Sequence, residues 1–340
     1  MRKTLIFMVG LFCTVLPAFS QSVFRVMEYN VENLFDCVDD SLKNDEEFLP
    51  GSGRGWTTAR YWEKLSHLSK VIVAAGHEHV PDLVGLCEVE NDRCMKDLTR
   101  RSLLKEAGYR YVMTASPDAR GVDVALLYQP STFKKLGVQT IRIPHEKIDG
   151  MRATRDILHV IGKVLSQDTL DVFVCHMPSR SGGEQKSEPY RLLTASVLKQ
   201  TVDSVTAVRQ NAHIVIMGDF NDYPDNRSIA EVLNAVKPEG TVEPAQLYDL
   251  MAGREGGTYR FKGDWGFLDH FIVSGTLLGE KQKGLKTSYE QVKVADFPFL
   301  MEEDDRYGGL SPFRTYKGWK YNGGYSDHLP VWMDLLIYEP

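Results

Sequence analysis

Six apolar segments of the chain each end on a polar or ionisable residue. Val26-Met27-Glu28-Tyr29 ends in Asn30, Leu83-Val84-Gly85-Leu86-Cys87 in Glu88, and Val172-Phe173-Val174-Cys175 in His176. Ile214-Val215-Ile216-Met217-Gly218 ends in Asp219-Phe220-Asn221-Asp222, Phe267-Leu268 leads to Asp269, and Ser326-Asp327-His328 precedes the last apolar run. One such residue is ordinarily a cap or a turn. Six, mixing carboxylate, carboxamide and imidazole, are hard to account for as turns and read as one site gathered at strand ends.

These residue types suit a hard cation beside proton-transfer groups. Glu88, Asp219 and Asp327 offer anionic oxygens, and Asn30 and Asn221 offer neutral ones. Magnesium takes oxygen ligands, keeps several waters and leaves room for a substrate phosphate; manganese is the alternative ion. His176 and His328 are too few and too scattered for an imidazole-based transition-metal centre, but they suit acid–base work near neutral pH. A carboxylate such as Asp269 can hold one imidazole in its reactive tautomer. The set describes metal-assisted hydrolysis of a phosphate ester, with the metal neutralising phosphoryl charge, a His–Asp pair activating water and Asn side chains orienting the phosphate.

The elements that must position these residues are short apolar runs alternating with amphipathic ones. Val23–Tyr29, Asp82–Cys87, Val122–Tyr128, Leu158–Leu165, Asp171–Cys175, His213–Met217, His270–Ser274 and Val331–Ile337 read as strands, rich in Val, Ile, Phe and Leu. Thr58–Ala75 carries Tyr61, Leu65, Leu68 and Ile72 at helical spacing and stops at Gly76; Asp92–Ala107 stops at Gly108. Tyr190–Val208 and Ser228–Val236 are the other predicted helices. Strands mixed with helices without strict alternation imply a layered α/β or α+β fold. No linker or fixed-period repeat divides the chain, and the Gly-rich segments Asp36–Thr57 and Leu300–Tyr325 are its long loops.

In kind and order these motifs resemble the endonuclease/exonuclease/phosphatase superfamily, from Tyr29-Asn30 to Asp327-His328. The resemblance rests on Asn30 after the first strand, a strand ending in Glu88, a strand ending in His176, Gly218-Asp219-Phe220-Asn221, the late Asp269 and Ser326-Asp327-His328. It implies that Glu88 is the principal metal ligand, helped by Asn30 and Asp327. Asp219 would position or activate the attacking water or hold a second metal, and Asn221 would contact the scissile phosphate. His328 would be the catalytic imidazole, oriented by Asp269. His176 matches the second catalytic His of the deoxyribonuclease and sphingomyelinase branches. The implied fold is a four-layer sandwich, two central mixed β-sheets packed face to face with helices outside.

Other residues carry weaker signals. Arg180, in Pro178-Ser179-Arg180-Ser181-Gly182-Gly183, could clamp a phosphate oxygen, and the Gly pair would let backbone approach. Arg155 and Arg120 are candidates for the same cleft. Asp123 reads as structural or functional equally, and Asp222 as a turn cap. Tyr259, Trp265, Trp319 and Tyr325 sit in Gly-rich loops where they could stack on a base or sugar, or simply pack.

The chain has 340 residues, 43% hydrophobic and 25% charged, which suits a folded globular protein. With 46 acidic against 40 basic side chains the formal net charge is −6, so bulk electrostatics do not draw it onto nucleic acid or anionic membrane. A phosphate-bearing substrate therefore needs a local cationic site or a metal. Arg2 and Lys3, the apolar run Leu5 to Val15 and Ala18-Phe19-Ser20 read as a secretory signal peptide cut before Gln21. Losing Arg2 and Lys3 takes the net charge from −6 to −8. No later stretch is long and apolar enough to cross a bilayer. Cys37, Cys87, Cys94 and Cys175 remain; nothing in their spacing demands pairing, and Cys87 and Cys175 read as buried thiols.

The expectation is therefore a leader, residues 1–20, and one catalytic domain, residues 21–340. The enzyme would be exported to the periplasm or secreted, monomeric and without a stable membrane anchor. It would be a magnesium-dependent phosphodiesterase, a nuclease acting on nucleic acid. The alternative is a phosphatase or sphingomyelinase-type enzyme acting on an inositol or sugar phosphate or a lipid head group, for which Phe297-Pro298-Phe299-Leu300-Met301 is a modest membrane-docking candidate.

Overall fold

Two β-sheets run through the molecule, built from the apolar runs described above. The computed structural model describes residues 21–338 except 77, 210 and 280–283, so the expected leader lies outside the described residues. The first sheet holds β1 (Gln21–Leu34), β2 (Leu83–Val89), β3 (Arg110–Met113), β4 (Asp123–Tyr128) and the last strand, Val331–Tyr338. Its order is Gly284–Lys286, Val331–Tyr338, β1, β2, β4, β3, with Val292–Val294 also on the last strand. The second sheet runs β5 (Phe133–Ile141), β6 (Ile157–Val164), β7 (Thr169–His176), β8 (His213–Asp219), then Asp269–Ser274, Leu247–Asp249 and Ala235–Val236. Both sheets are mixed: β1 with β2, β7 with β8 and Leu247–Asp249 with Ala235–Val236 are parallel, and the other pairs are antiparallel.

Side-chain parity makes the layers. Phe24 and Val26 of β1, Val172 and Val174 of β7 and Val215 and Met217 of β8 share one core between the sheets. The side chains that alternate with them point the other way. Met27, Tyr29, Val84 and Leu86 meet Leu65, Leu68, Ile72 and Leu98 of α1 (Thr58–Ala75) and α2 (Asp92–Arg101). Phe173, Cys175, Ile214 and Ile216 meet Ala195, Leu198 and Val202 of α3 (Glu184–Val208). The central strands are thus buried on both faces, which is why they read as continuous apolar runs. The outcome is the expected four-layer α/β sandwich.

Caps fix the helix ends. Thr57 Oγ1 accepts from Arg60 N, Gly76 closes α1, and Asn91 Oδ1 accepts from Cys94 N at 3.0 Å to start α2. The predicted helix Asp92–Ala107 breaks at Ser102, whose extended backbone and side-chain bond to Leu98 O end α2 before a 3₁₀ turn, Leu103–Ala107. α3 starts at Glu184, earlier than the predicted Tyr190, because Pro189 is taken into the early turns. Ser228–Val236 is only a π turn over Ser228–Leu233. β5 was not foreseen: its middle, Lys134-Lys135-Leu136, is exposed at a sheet edge and carries no strand periodicity.

All four described cysteines are free thiols, and Cys87, Cys94 and Cys175 are buried. No described helix is long and apolar enough to cross a membrane. Phe297 and Phe299 do not stand out as a docking loop: Phe297 stacks on Trp332 at 5.9 Å and Phe299 leans on Tyr325 at 5.3 Å.

Candidate active site

Strand register brings the site together. β7, β8 and Asp269–Ser274 lie side by side, and His176, Asp219 and Asp269 are direct neighbours across them. In the first sheet Asn30 pairs with Cys87, the residue before Glu88. The two sheets touch where Asn30 Nδ2 donates to Asp219 Oδ2 at 3.0 Å. His328 arrives on the turn before the last strand, tied down by Leu329 N donating to Thr258 O at 2.7 Å.

Irregular backbone aims these side chains. Glu88 has φ 67° and is the extra residue of a bulge between β2 and β4, where Cys87 pairs with Val124 and Val89 with Asp123. β1 is irregular between Asn30 and Leu34, with Glu32 and Asn33 both at positive φ, and Asn221 has φ 51°. Bulges and left-handed residues of this kind cost energy and cluster where side chains must be re-aimed. Gly218 has φ 139°, and a Cβ there would lie 1.8 Å from Cys175 O, so only glycine lets β8 approach β7 beside Asp219.

The central group is Asp219, Asp269 and His328, whose candidate ligand atoms all lie within 4.8 Å of one another. His328 Nδ1 and Asp269 Oδ2 are 2.7 Å apart, and Nε2 lies 3.9 Å from Asp219 Oδ2. Burial opposes the charge on His328, but Asp269 and Asp219 outweigh it and hold the imidazole well above its ordinary value. His176 Nε2 faces the same point, 3.6 Å from Asp219 Oδ2 and 3.8 Å from Glu88 Oε1. Burial, with Arg155 and Arg120 nearby, pushes His176 well below the usual imidazole range, so it stays neutral. Asp219 is pushed up to about 7 by burial and by Asp269 and Glu88, against the pull of His328. Asn221 N donates to Asp219 Oδ1 at 2.8 Å, and its Nδ2 to Met177 O at 3.1 Å.

The donor set fits a hard divalent cation. Glu28, Asp219 and Asp269 bring buried carboxylates together with the partly exposed Glu88 nearby, Asp269 Oδ1 has no hydrogen-bond partner, and burial together with mutual repulsion raises Asp219 and Glu28. A cation among oxygens would relieve that repulsion. Asp219 and Asp269 lie within one ligand group, and Glu88 and Asp219 both face His176 Nε2, at 3.8 and 3.6 Å, so these carboxylates could hold it. Asn30 Oδ1 accepts from Glu32 N at 3.0 Å, and Asp327 Oδ2 accepts from Arg314 Nη2 at 2.9 Å.

Of the weaker candidates, Arg155 is buried and held by Asp118 Oδ2 at 3.1 Å and by Met177 O, next to His176. Arg180 is ion-paired to Glu184, with its guanidinium 4.7 Å from the Tyr223 ring. Arg120 Nη1 lies 3.9 Å from Glu88 Oε1. Asp123 is structural, accepting from Thr114 Oγ1 at 2.6 Å and Ser116 N at 2.9 Å. Asp222 is a buried anchor, 2.7 Å from Arg191 Nε on α3 and accepting from Ser228 Oγ at 2.6 Å. Tyr259 lies 4.8 Å from the His328 ring, Tyr325 stacks on His67, and Trp319 is exposed.

Two features were missed in the sequence. Glu28 is fully buried, with Oε2 unpartnered, and its pKa is raised well up by burial, Asp269 and Asp219. Its parity with the inward-facing Phe24 and Val26 was the available signal. The second is the pair of buried groups Glu32 and Lys64, with the half-exposed Arg314, beside Asp327; Thr315 N donates to Glu32 Oε2 at 2.6 Å, and Lys64 Nζ donates to Thr315 Oγ1 and Tyr325 O.

Comparison with known proteins agrees with this architecture. The model of the Endonuclease/Exonuclease/phosphatase family matches residues 25–336. No curated protein matches the sequence. Among solved structures, an endonuclease/exonuclease/phosphatase family protein from Bacteroides thetaiotaomicron superposes with TM-score 0.58 at 16% identity, covering 94% of this chain and 99% of that one. The mannosyl-6-phosphatase Bt3783 of Bacteroides thetaiotaomicron VPI-5482 gives 0.57 at 16% identity, covering 92% and 99%. D. rerio TDP2 complexed with single strand DNA product gives 0.54 at 16% identity, covering 92% and 99%. The whole-length match and the strand-end site together place the chain: it belongs to the endonuclease/exonuclease/phosphatase family and is a phosphoesterase of that family.

Proposed function

We propose that the protein is an exported, divalent-metal-dependent phosphodiesterase whose substrate is nucleic acid. The observation that carries the reaction is the pair of unlike imidazoles facing one carboxylate: charged His328, held by Asp269, and neutral His176, both turned to Asp219 Oδ2. Two titratable groups with pKa values pushed apart suit proton transfer in opposite directions.

Water attacks phosphorus, a P–O bond forms, and the bond to the leaving oxygen breaks. The proton from water passes to Asp219, with His328 and Asp269 lined up behind it. His328 is the reservoir that returns a proton to the leaving alkoxide. Asn221 Nδ2 gives its two hydrogens to Met177 O and Asp219 Oδ2, so the side chain holds the Asp219 carboxylate in place beside the phosphoryl group. His176 Nε2 donates to a phosphoryl oxygen from the opposite side. A magnesium ion at Glu88 and Asp219 would supply charge neutralisation for the phosphoryl oxygens.

The nucleic-acid reading draws support from the second histidine and from the likeness to TDP2, whose structure holds single strand DNA product. The alternative, a phosphatase or sphingomyelinase-type substrate, draws on the likeness to the mannosyl-6-phosphatase. Both likenesses are of fold, so substrate choice rests on assay. Export rests on the leader-like residues 1–20; N-terminal sequencing of the exported protein would show Gln21 first.

The test offers the protein from Gln21 plasmid DNA, RNA, bis-p-nitrophenyl phosphate, sphingomyelin and phosphomonoesters, each with magnesium, manganese or EDTA. EDTA-sensitive cleavage of nucleic acid is expected. Turnover confined to monoesters or sphingomyelin would replace the substrate class, and turnover indifferent to EDTA would remove the metal.

A further inference from the structure

A groove of about 600 Å³ opens beside the His176 side of the catalytic cleft. Its walls come from the turn before β4, the loop before β6 and the start of α3. Four cations line it, Arg120, Arg152, Arg155 and Lys186, against one carboxylate, Asp118. Asp118 is already engaged, 3.1 Å from Arg155 Nη1 and 3.7 Å from Arg120 Nε. Arg152 and Lys186 are exposed and make no ion pair among the described residues. In a protein of net charge −6, such a local excess of positive charge is a departure from the surroundings.

The groove is also built with buried donors that have nothing to bond. Thr154 is 5% exposed and its Oγ1 has no partner; Arg155 is 6% exposed and its Nε has none. Buried polar groups left so are costly, and donors around a cationic pocket are satisfied by an anionic acceptor. The N-terminus of α3, capped by Gly183 without a side-chain bond, adds backbone N–H groups on the same side.

The groove is continuous with the reaction centre. Arg155 Nη2 donates to Met177 O, the same carbonyl that accepts Asn221 Nδ2 at 3.1 Å. Arg120 Nη1 lies 3.9 Å from Glu88, which is 3.8 Å from His176.

We propose that this groove binds a second phosphate of the substrate, adjacent to the one cleaved, with Arg152 and Lys186 as its specificity-determining cations. The inference rests on the phosphoesterase reading and adds what its substrate carries. A substrate with one phosphate leaves the groove unfilled; a nucleic-acid strand or a small bisphosphate fills it. Both sources share the chemistry of a second phosphate within reach of the first.

The test is calorimetric binding in a His328→Ala background, so that nothing turns over, with and without Arg152→Gln and Lys186→Gln together. Four ligands are compared: dithymidine monophosphate, the same dinucleotide phosphorylated at both ends, a hexose monophosphate and a hexose bisphosphate. The parent is expected to bind at least one of the multiply phosphorylated members about tenfold more tightly than its one-phosphate counterpart. The double substitution is expected to erase that advantage while changing affinity for the counterpart less than about twofold. Loss on the dinucleotide pair assigns the groove to nucleic acid, and loss on the hexose pair to a small bisphosphate. No advantage in the parent, or equal loss for both members of each pair, overturns the proposal. If the selective loss is seen but the protein with His328 intact hydrolyses none of the esters, the phosphoesterase reading has failed and the groove has not.

Discussion

At the scale of single residues, the site separates groups that do chemistry from groups that hold them. His328 Nε2 faces Asp219, while Nδ1 is bonded to Asp269 at 2.7 Å. His328→Ala is expected to remove about 3 kcal/mol or more of transition-state stabilisation, read as kcat/KM, with substrate binding largely kept. Asp269→Asn keeps the size but loses the anion that charges and orients the ring, and a fall of about 10²- to 10⁴-fold in kcat is expected. Should Asp269→Asn match wild type, His328 does not work through Asp269. Every residue of the central group was legible in the sequence, because each one interrupts or closes an apolar run. Glu28 was not, since one carboxyl inside a strand looks like any outward-facing residue until the second sheet covers it. Arg314 and Lys64 were not either: Lys64 meets Thr315 across 251 residues of chain, and no local spacing announces such a contact.

At the scale of elements, what matters is how closely β7 and β8 approach and how the last loop is moored. Gly218→Ala would force a methyl group into Cys175 O and part the strands that carry His176 and Asp219. A loss of about 4 kcal/mol or more in unfolding free energy is expected, because neither backbone can yield alone. A urea midpoint within error of wild type would mean the strands can separate there at little cost. The mooring of the 313–327 loop is ionic. Lys64 on α1 is 1% exposed and reaches Thr315 and Tyr325, with Glu32 beside it as its strongest counter-charge. Lys64→Met would leave Glu32 with Arg314 and Thr315 N, and about 3 kcal/mol of stability should go with it. The eight main strands and α1 were readable as periodic apolar segments. The bulge at Glu88 and the left-handed turn at Asn221 were not, because backbone of that shape follows from what the side chains must reach rather than from their own types.

At the scale of the whole molecule, buried carboxyl groups set how stability answers to pH. Burial lifts Glu90 to about 8 and Glu32 and Asp219 to about 7, and raises Glu28 well above its ordinary value, whereas unfolded Asp and Glu titrate near 3.8 and 4.5. Between the unfolded and folded values the native state binds more protons than the unfolded one, so its stability falls as pH rises. His328 and His270, raised as well, act in the same direction; His176, with His67 and His213, is depressed and opposes it by favouring the fold above the ordinary imidazole value. The carboxyls outnumber the depressed imidazoles. In EDTA the melting temperature is therefore expected to fall steadily from pH 5 to pH 8. Magnesium should reverse this trend, since it binds the deprotonated carboxylates that the bare fold disfavours and stabilises by mass action. The increment on adding magnesium should be small at pH 5 and largest at pH 8, where at a hundredfold excess over Kd it reaches about 2.7 kcal/mol. Glu88→Gln should lose most of that increment, because it removes an anionic oxygen that would hold the ion. An increment equal at both pH values would detach the ion from Asp219, and one undiminished in Glu88→Gln would place it away from β2.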